Sequence, residues 1–198
     1  MSSPSASSAR TPTKRLLTEL SAFAATPPSS HPFIASLSPS PSSMLFLRAI
    51  LVGAALPPSS GYTTGRWLVN IAIPASYPLH APTITFVTKI CHPNVQWETG
   101  EICLDLLGSN WTPVLGVVGA LEAVGRLLGE PGTDSPLGIE AAALLREGDW
   151  VGSRALVGYW CGEERWEGGL EWVEGERGSQ ARPIRMQCHK NALTLTKA

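Results

Sequence analysis

Residues 89–107 read KICHPNVQWETGEICLDLL and hold the most informative chemistry of the chain. Two cysteines, Cys91 and Cys103, stand twelve positions apart, and a His-Pro-Asn turn follows the first of them. An unperturbed thiol has a pKa of about 8.5, so only a few per cent is thiolate at neutral pH. That fraction is strongly nucleophilic. The stretch therefore indicates thiol chemistry, and its neighbours narrow the type of reaction.

The reaction type depends on which partner the thiol has. A cysteine hydrolase needs a histidine base and a side chain that orients it. None of the four histidines lies in a recognisable protease signature, which disfavours a hydrolase. A thiol that only exchanges acyl groups needs instead a fixed donor for the tetrahedral oxyanion. Asn94, separated from Cys103 by eight residues, fits that task.

Composition predicts one globular domain. The chain has 198 residues, 43% hydrophobic and 16% charged, with a net charge of -1. Such a balance gives no electrostatic case for nucleic acid or for an anionic membrane. The four cysteines are unevenly spaced and form no C-x-x-C pair, unlike a disulfide scaffold or a zinc site. We expect a reducing compartment, the cytosol or nucleus.

The chain shows no membrane or export signal in its apolar runs. The start, MSSPSASSARTPTKR, lacks the apolar core of a signal peptide. The longest apolar run, MLFLRAILVGAAL, has thirteen residues and contains Arg48. Because crossing a bilayer takes about 20 residues, we expect any membrane association to occur through a partner.

The first half alternates between one helix and several strands. Helical spacing in KRLLTELSAFAA predicts a helix over residues 14–25. Residues 31–43 are rich in Ser and Pro and predict a loop. Strands are predicted at 44–52, 66–74 and 83–88, joined by turns as an antiparallel meander.

The second half has the longer helical period. VLGVVGALEAVGRLLGEPG predicts a helix whose apolar face holds Val117, Leu121, Val124 and Leu128. A second helix is predicted in SPLGIEAAALLREGD, with Ser135 capping it and Pro136 at its first position. A third is predicted in WVGSRALVGYWCGEERW. The order of elements gives an α+β fold.

The domain boundaries follow from the composition of the two ends. Residues 1–13 are Ser/Pro/Ala-rich and are predicted to be disordered. Residues 14–166 are predicted to form the core domain. Residues 167–198 are rich in Gly, Glu and Arg without apolar periodicity, and we expect a disordered tail.

An ordered series of motifs resembles the ubiquitin-conjugating (E2) enzymes. It comprises HPN, ICLDLL, WTP and DSPL, together with TKRLLTELSAFAATPP and GYTTGRWLVNIAIPASYPLHAPTITFVT. The resemblance covers roughly residues 14–165. Within the family, KICHPNV, TGEICLDLL and REGDW…YWCGEERW look most like the peroxisomal branch, the ubiquitin-conjugating peroxins. It implies the ubiquitin-conjugating (UBC) fold: an N-terminal helix, a four-stranded antiparallel meander and C-terminal helices.

The resemblance implies an acyl transferase that works through a cysteine thioester. Ubiquitin would arrive from an E1 activating enzyme and leave to a target with a RING-type E3 ligase. The peroxisomal branch implies that the import receptor is the target, and that a membrane-anchored peroxin holds the enzyme on the cytosolic face. No cofactor is implied, because ATP is spent upstream. Two alternatives stay open: a catalytically weak E2-like binding module, and an E2 for another ubiquitin-like modifier.

The family pattern also assigns roles around the cysteine. Cys103 matches the thioester-forming residue, and Asn94 matches the asparagine that supports attack on it, although an asparagine in a turn can also brace the backbone. His92 and Pro93 are expected to be structural. Cys91, which lies outside the usual pattern, has three open interpretations: a buried filler, a redox partner or a second acceptor.

The remaining assignments are polar residues near the cysteine and two docking surfaces. Asp105 and Ser135 match polar positions around the cysteine, and Ser135 can act either as a gate or simply as a helix cap. Lys14 and Arg15 match basic residues of the first helix that meet the activating enzyme. Four residues on two loops match the positions that meet RING-type ligases: Leu79, Trp111, Pro113 and Val114.

Overall fold

The computed structural model describes residues 11–102, 111–132 and 136–172. Within them, four strands are preceded by one α-helix and followed by three. The elements are α1 Pro12–Ala25, β1 Ile34–Ser40, β2 Ser43–Val52, β3 Arg66–Ala72, β4 Thr83–Phe86, α2 Gly116–Gly129, α3 Ile139–Arg146 and α4 Trp150–Glu163. Two single-turn 3-10 helices lie at Pro28–Ser30 and Pro58–Ser60.

The four strands form one antiparallel sheet in the order β1-β2-β3-β4. Leu47 of β2 lies opposite Ile71 of β3, and Ile71 lies opposite Ile84 of β4. All three side chains are buried in the core. The α+β architecture with a four-stranded meander is therefore as predicted.

The predicted loop at residues 31–43 is wrong, because β1 occupies most of it. Leu37 of β1 pairs with Ala49 of β2. The strand is at the edge of the sheet and pairs with β2 alone, so its proline lies where a missing N–H can be tolerated. The register shifts beside Pro39. A Ser/Pro-rich composition therefore concealed an edge strand.

Helix α2 has the apolar face that its sequence predicts. Val117, Leu121, Val124 and Leu128 are all buried, and they pack into the core with Leu16 of α1. A glycine inside this helix has a packing role: a Cβ at Gly125 would lie 2.3 Å from the Phe33 ring. An interior glycine of this helix thus makes room for an aromatic side chain.

The start of α3 differs from the prediction. The helix begins at Ile139 with Gly138 as its N-cap, so Pro136 precedes the helix and is not its first residue. The backbone N–H groups of Leu137 and Gly138 donate to the Pro93 carbonyl at 2.7 and 2.9 Å. These bonds hold the segment against the His-Pro-Asn turn, so the helix begins only after Gly138. Ser135, the predicted cap, lies outside the described residues.

Residues 167–172 lie against the sheet, although they were assigned to the disordered tail. Arg66 donates to the carbonyls of Trp166 and Gly168, both at 3.0 Å. The Arg48 guanidinium lies 4.3 Å from the centre of the Trp172 ring. The chain beyond the predicted boundary thus contacts the sheet through Gly168 and Trp172, and residues 173–198 lie outside the described part.

Candidate active site

A backbone pairing fixes the residues directly before the expected catalytic cysteine. Val95 pairs with Ile102 in an isolated antiparallel bridge, and Ile102 is buried. The residue before Cys103 is therefore fixed beside the residue after Asn94. Cys103 itself, with Asp105 and Ser135, lies outside the described residues.

Asn94 braces the turn with both ends of its amide. Its Nδ2 donates to the Gly132 carbonyl at 2.7 Å, and its Oδ1 accepts from the Gly132 N–H at 2.9 Å. The residue is almost fully buried. Nδ2 carries two hydrogens, and the Gly132 carbonyl takes one. The bracing contacts are thus those expected of a turn asparagine, and they leave a donor hydrogen for the predicted second role.

His92 lies in the same turn as a buried imidazole with both nitrogens engaged. Nδ1 accepts from the Asn94 N–H at 3.0 Å, so the proton is on Nε2, which donates to the Leu127 carbonyl at 3.1 Å. Burial lowers the pKa of His92 to about 4, against a smaller opposing effect of the Leu127 carbonyl. This arrangement suits the structural role expected for His92 and does not suit a general base. Pro93 contributes through its carbonyl, described above.

Cys91 is a partly buried thiol that forms no disulfide within the described part of the chain. Burial, and secondarily the charge of Glu140, raises its pKa to about 11. The Tyr62 hydroxyl donates to the Cys91 carbonyl at 2.6 Å, which fixes the backbone there. A thiol that resists ionisation is a poor nucleophile. Of the three interpretations of Cys91, this environment favours the buried filler.

The structure brings together the two loops predicted to meet a ligase. Leu79 and Val114 are strongly exposed, at 74% and 88%. The Trp111 indole donates to the Pro78 carbonyl at 2.9 Å, which ties the second loop to the first. Exposed apolar residues on joined loops are typical of an interaction surface.

The two basic residues of α1 differ in their surroundings. Lys14 is exposed. Arg15 is half-buried, with Nε bonded to Glu19 at 2.5 Å and Nη2 bonded to the Pro113 carbonyl at 2.9 Å. The Glu19 hydrogen bond is the main cause that raises the pKa of Arg15. Arg15 therefore links the first helix to the second predicted ligase loop, a contact that the sequence did not predict.

Sequence reasoning also missed Glu19 and Tyr77. The Tyr77 hydroxyl donates to the Glu19 carboxylate, 2.8 and 2.7 Å from its two oxygens. Burial first, and Glu19 second, raises the pKa of Tyr77 well above its usual range. The i,i+4 spacing of Arg15 and Glu19 is a signal for an ion pair. Nothing in the sequence indicated the third partner.

The described residues hold neither a cluster of metal ligands nor a helix that could span a membrane. Across 11–102, 111–132 and 136–172, no group of three His, Cys, Asp or Glu side chains could hold a metal ion. In the same part of the chain, no helix has both the length and the apolarity needed to span a bilayer.

Comparison with known families gives one match over most of the chain. The model of the family described as "Ubiquitin-conjugating enzyme" matches residues 15–150. This range contains the His-Pro-Asn turn, both predicted ligase loops and the sheet.

Individual proteins of known sequence or structure are also similar to this chain. The chain is similar to "Ubiquitin-conjugating enzyme E2 PEX4" of Gibberella zeae, with 45% identity over 84% of this chain and 97% of the relative. It is similar to "Ubiquitin-conjugating enzyme E2 pex4" of Dictyostelium discoideum, with 44% identity over 51% and 68% of the two chains. Among solved structures, the H. polymorpha ubiquitin-conjugating enzyme Pex4p, in complex with the soluble domain of Pex22p, matches with a TM-score of 0.70 and 31% identity. That match covers 77% of this chain and 98% of the other.

Proposed function

The chain belongs to the ubiquitin-conjugating enzyme family, and we propose that it carries ubiquitin as a thioester on Cys103 and transfers it with a RING-type ligase. It is an E2 enzyme, similar to the PEX4 peroxins. The observation that carries the proposal is the match over 97% of the Gibberella zeae enzyme, together with Cys103 in ICLDLL downstream of the turn that holds Asn94.

The proposed reaction has two acyl transfers. In the first, the Cys103 thiolate attacks the C-terminal carbonyl of ubiquitin on the activating enzyme, whose own thiolate leaves. In the second, a nucleophile of the target attacks the new thioester, the bond from carbon to the Cys103 sulfur breaks, and the Cys103 thiolate departs. For an amine, the proton released is taken by a carboxylate such as Asp105 or by solvent.

Asn94 has a distinct part in the second transfer. The attack converts the carbonyl oxygen into an oxyanion, and a fixed amide donor stabilises it. The contacts with Gly132 hold the Asn94 amide in place, so its orientation is set before substrate arrives. The low pKa of His92 means that no imidazolium or strong base operates in this turn at neutral pH. The lack of such a base would protect the thioester from hydrolysis.

The biological setting that we propose is recycling of the peroxisomal import receptor. The support is the PEX4 naming of the relatives and the presence of the Pex22p soluble domain in the H. polymorpha Pex4p structure. The enzyme would then work in the cytoplasm, on the outer face of the peroxisomal membrane, held there by a membrane-anchored peroxin. Lys14 and Arg15 would meet the activating enzyme, and the loops of Leu79 and Val114 would meet the ligase.

A charging assay tests the proposal. The full chain is incubated with activating enzyme, ATP and ubiquitin and is then run on gels with and without reductant. We expect a reductant-sensitive adduct that Cys103→Ala abolishes and Cys91→Ala preserves. Cys103→Ser should give an ester that resists reductant.

Other outcomes favour the alternatives. A folded wild-type chain that fails to charge would favour the E2-like binding module. Charging by a different modifier and not by ubiquitin would favour an E2 for that modifier. The location is tested separately by co-sedimentation with peroxisomal membranes, which should be lost when the anchoring peroxin is removed.

A further inference from the structure

Glu19 of α1 lies where three separate parts of the chain meet. Its carboxylate accepts from Arg15 on its own helix, from the Tyr77 hydroxyl, and from the Val117 N–H at 2.8 Å. The side chain is only 12% exposed. A carboxylate this enclosed needs its hydrogen bonds, because a lost partner leaves a costly unpaired acceptor.

At the start of α2, Glu19 replaces the missing cap. The N-cap residue of α2 is Leu115, which makes no side-chain capping bond. The first N–H groups of a helix lack partners within the helix, and the helix dipole favours an anion at that end. The Glu19 carboxylate supplies both a hydrogen-bond partner and a negative charge, because it accepts from the N–H of Val117, the second residue of the helix.

Gly116 shows how closely the carboxylate is fitted. A Cβ at this position would lie 2.7 Å from the Glu19 Oε2 atom and 3.0 Å from Oε1. The residue also has a φ of 64°, which favours glycine. The first turn of α2 is therefore built around the Glu19 side chain.

Two of the partners of Glu19, Tyr77 and Val117, lie directly beside the predicted ligase loops. Tyr77 lies two residues before the exposed Leu79, and Val117 lies three residues after the exposed Val114. A single carboxylate thus joins the ends of both loops. Arg15 adds a further link, because it bonds both Glu19 and the Pro113 carbonyl.

We propose that Glu19 is a positioning residue for the ligase-binding surface, because its carboxylate fixes the spacing of the Leu79 loop and the Val114 loop. The inference rests on the proposed function, since it takes these loops as the surface that a RING domain contacts. Glu19 would touch neither ubiquitin nor the ligase. Its effect would be on ligase affinity and not on the transfer itself.

The test compares Glu19→Gln and Tyr77→Phe with the wild type, each as the full chain charged with ubiquitin. The probe is a RING domain that accelerates discharge of ubiquitin from the wild-type chain. We expect Glu19→Gln to raise the Kd for that domain about fivefold to tenfold, and Tyr77→Phe to raise it less. The rate of discharge to free lysine without the RING domain should stay within about twofold of wild type.

Glu122→Gln is the matched control. Glu122 is a similarly enclosed carboxylate on α2, and it lies 3.6 Å from His31, away from both loops. This variant should leave the Kd unchanged. The inference is overturned if Glu19→Gln and Tyr77→Phe also leave the Kd unchanged, or if they slow the unstimulated discharge as much as the stimulated one.

Hydrogen exchange separates this inference from the proposed function. If no RING domain accelerates discharge from the wild-type chain, the proposed ligase step fails. The exchange rates of the Leu79 and Leu115 amides then test whether Glu19 positions the two loops. Their N–H groups bond to the carbonyls of Ser76 and Thr112 within the two loops. Faster exchange of both amides in Glu19→Gln, but not in Glu122→Gln, upholds the positioning role. Unchanged exchange in Glu19→Gln contradicts it.

Discussion

Both ends of helix α2 are held by side chains from elsewhere in the chain. A charged pair holds the first end, and neutral groups hold the second. At the start, the Glu19 carboxylate accepts from Val117 and is itself paired with Arg15. At the last turn, the Leu127 carbonyl accepts from a neutral His92 that is buried completely. Just beyond the helix, Asn94 engages the backbone of Gly132 without any charge.

The difference follows from burial. A helix C-terminus favours a cation, yet burial opposes the charged imidazole more strongly and lowers the pKa of His92 to about 4. At the other end, the Glu19 carboxylate is paired with the cationic Arg15 side chain. The neutral contacts lie beside the His-Pro-Asn turn proposed for transfer. The charged contacts lie beside the loops proposed for ligase binding.

The largest expected effect is at the neutral end. His92→Ala would leave the Asn94 N–H and the Leu127 carbonyl without partners and would open a cavity. We expect the free energy of unfolding, measured by urea titration, to fall by about 4 kcal/mol. His31→Ala serves as the control, because His31 lies nearer the surface, and it should cost about 1 kcal/mol or less. Equal losses for the two variants would contradict the role given to His92.

The same end should respond to acid. The folded pKa of His92, about 4, lies below the unfolded value of about 6.5, so the unfolded chain binds the proton first. Stability from the neutral imidazole is present above the unfolded pKa and is lost as the pH falls toward the folded one. Between pH 7 and pH 4.5 we expect the wild type to lose about 2 kcal/mol more than His92→Gln. Parallel losses in urea titrations at the two pH values would count against a neutral buried imidazole.

A smaller effect is expected at the charged end. Gly116 and Gly148 both have positive φ, 64° and 75°, but a Cβ at Gly148 would meet nothing within 4 Å. Gly148→Ala should therefore cost about 1 kcal/mol for backbone strain alone. Gly116→Ala should cost about 1 kcal/mol more, because its Cβ meets the Glu19 carboxylate. Thermal unfolding of both variants checks this, and the excess should shrink in a Glu19→Ala background.

The sequence predicted those parts of the fold that depend on apolar periodicity. The buried face of α2 and the pairing of β2 with β3 follow from spacing alone. The strand at 34–40 was missed because an edge strand tolerates Ser and Pro. The start of α3 was misplaced because two N–H groups bond to the Pro93 carbonyl, a contact between residues more than forty positions apart.

The candidate site also contains some residues that could be predicted from the sequence and others that could not. The family resemblance pointed to Asn94, Leu79 and Val114, and the structure shows the contacts of Asn94 and the exposure of the other two. Glu19 was missed because its partners Tyr77 and Val117 are 58 and 98 positions away. A carboxylate on an amphipathic helix is typical of a solvated face, and only the packed fold shows what it bonds.

The most direct test of the account uses one chain charged with ubiquitin on Cys103 and two variants, Asn94→Ser and Glu19→Gln. Discharge to free lysine and the Kd for a stimulating RING domain are measured for each. We predict that Asn94→Ser slows unstimulated discharge about 100-fold with the Kd unchanged, and that Glu19→Gln weakens the Kd with the unstimulated rate unchanged. If each variant altered both quantities by the same factor, the two ends of α2 would not have separate tasks and the account would be wrong.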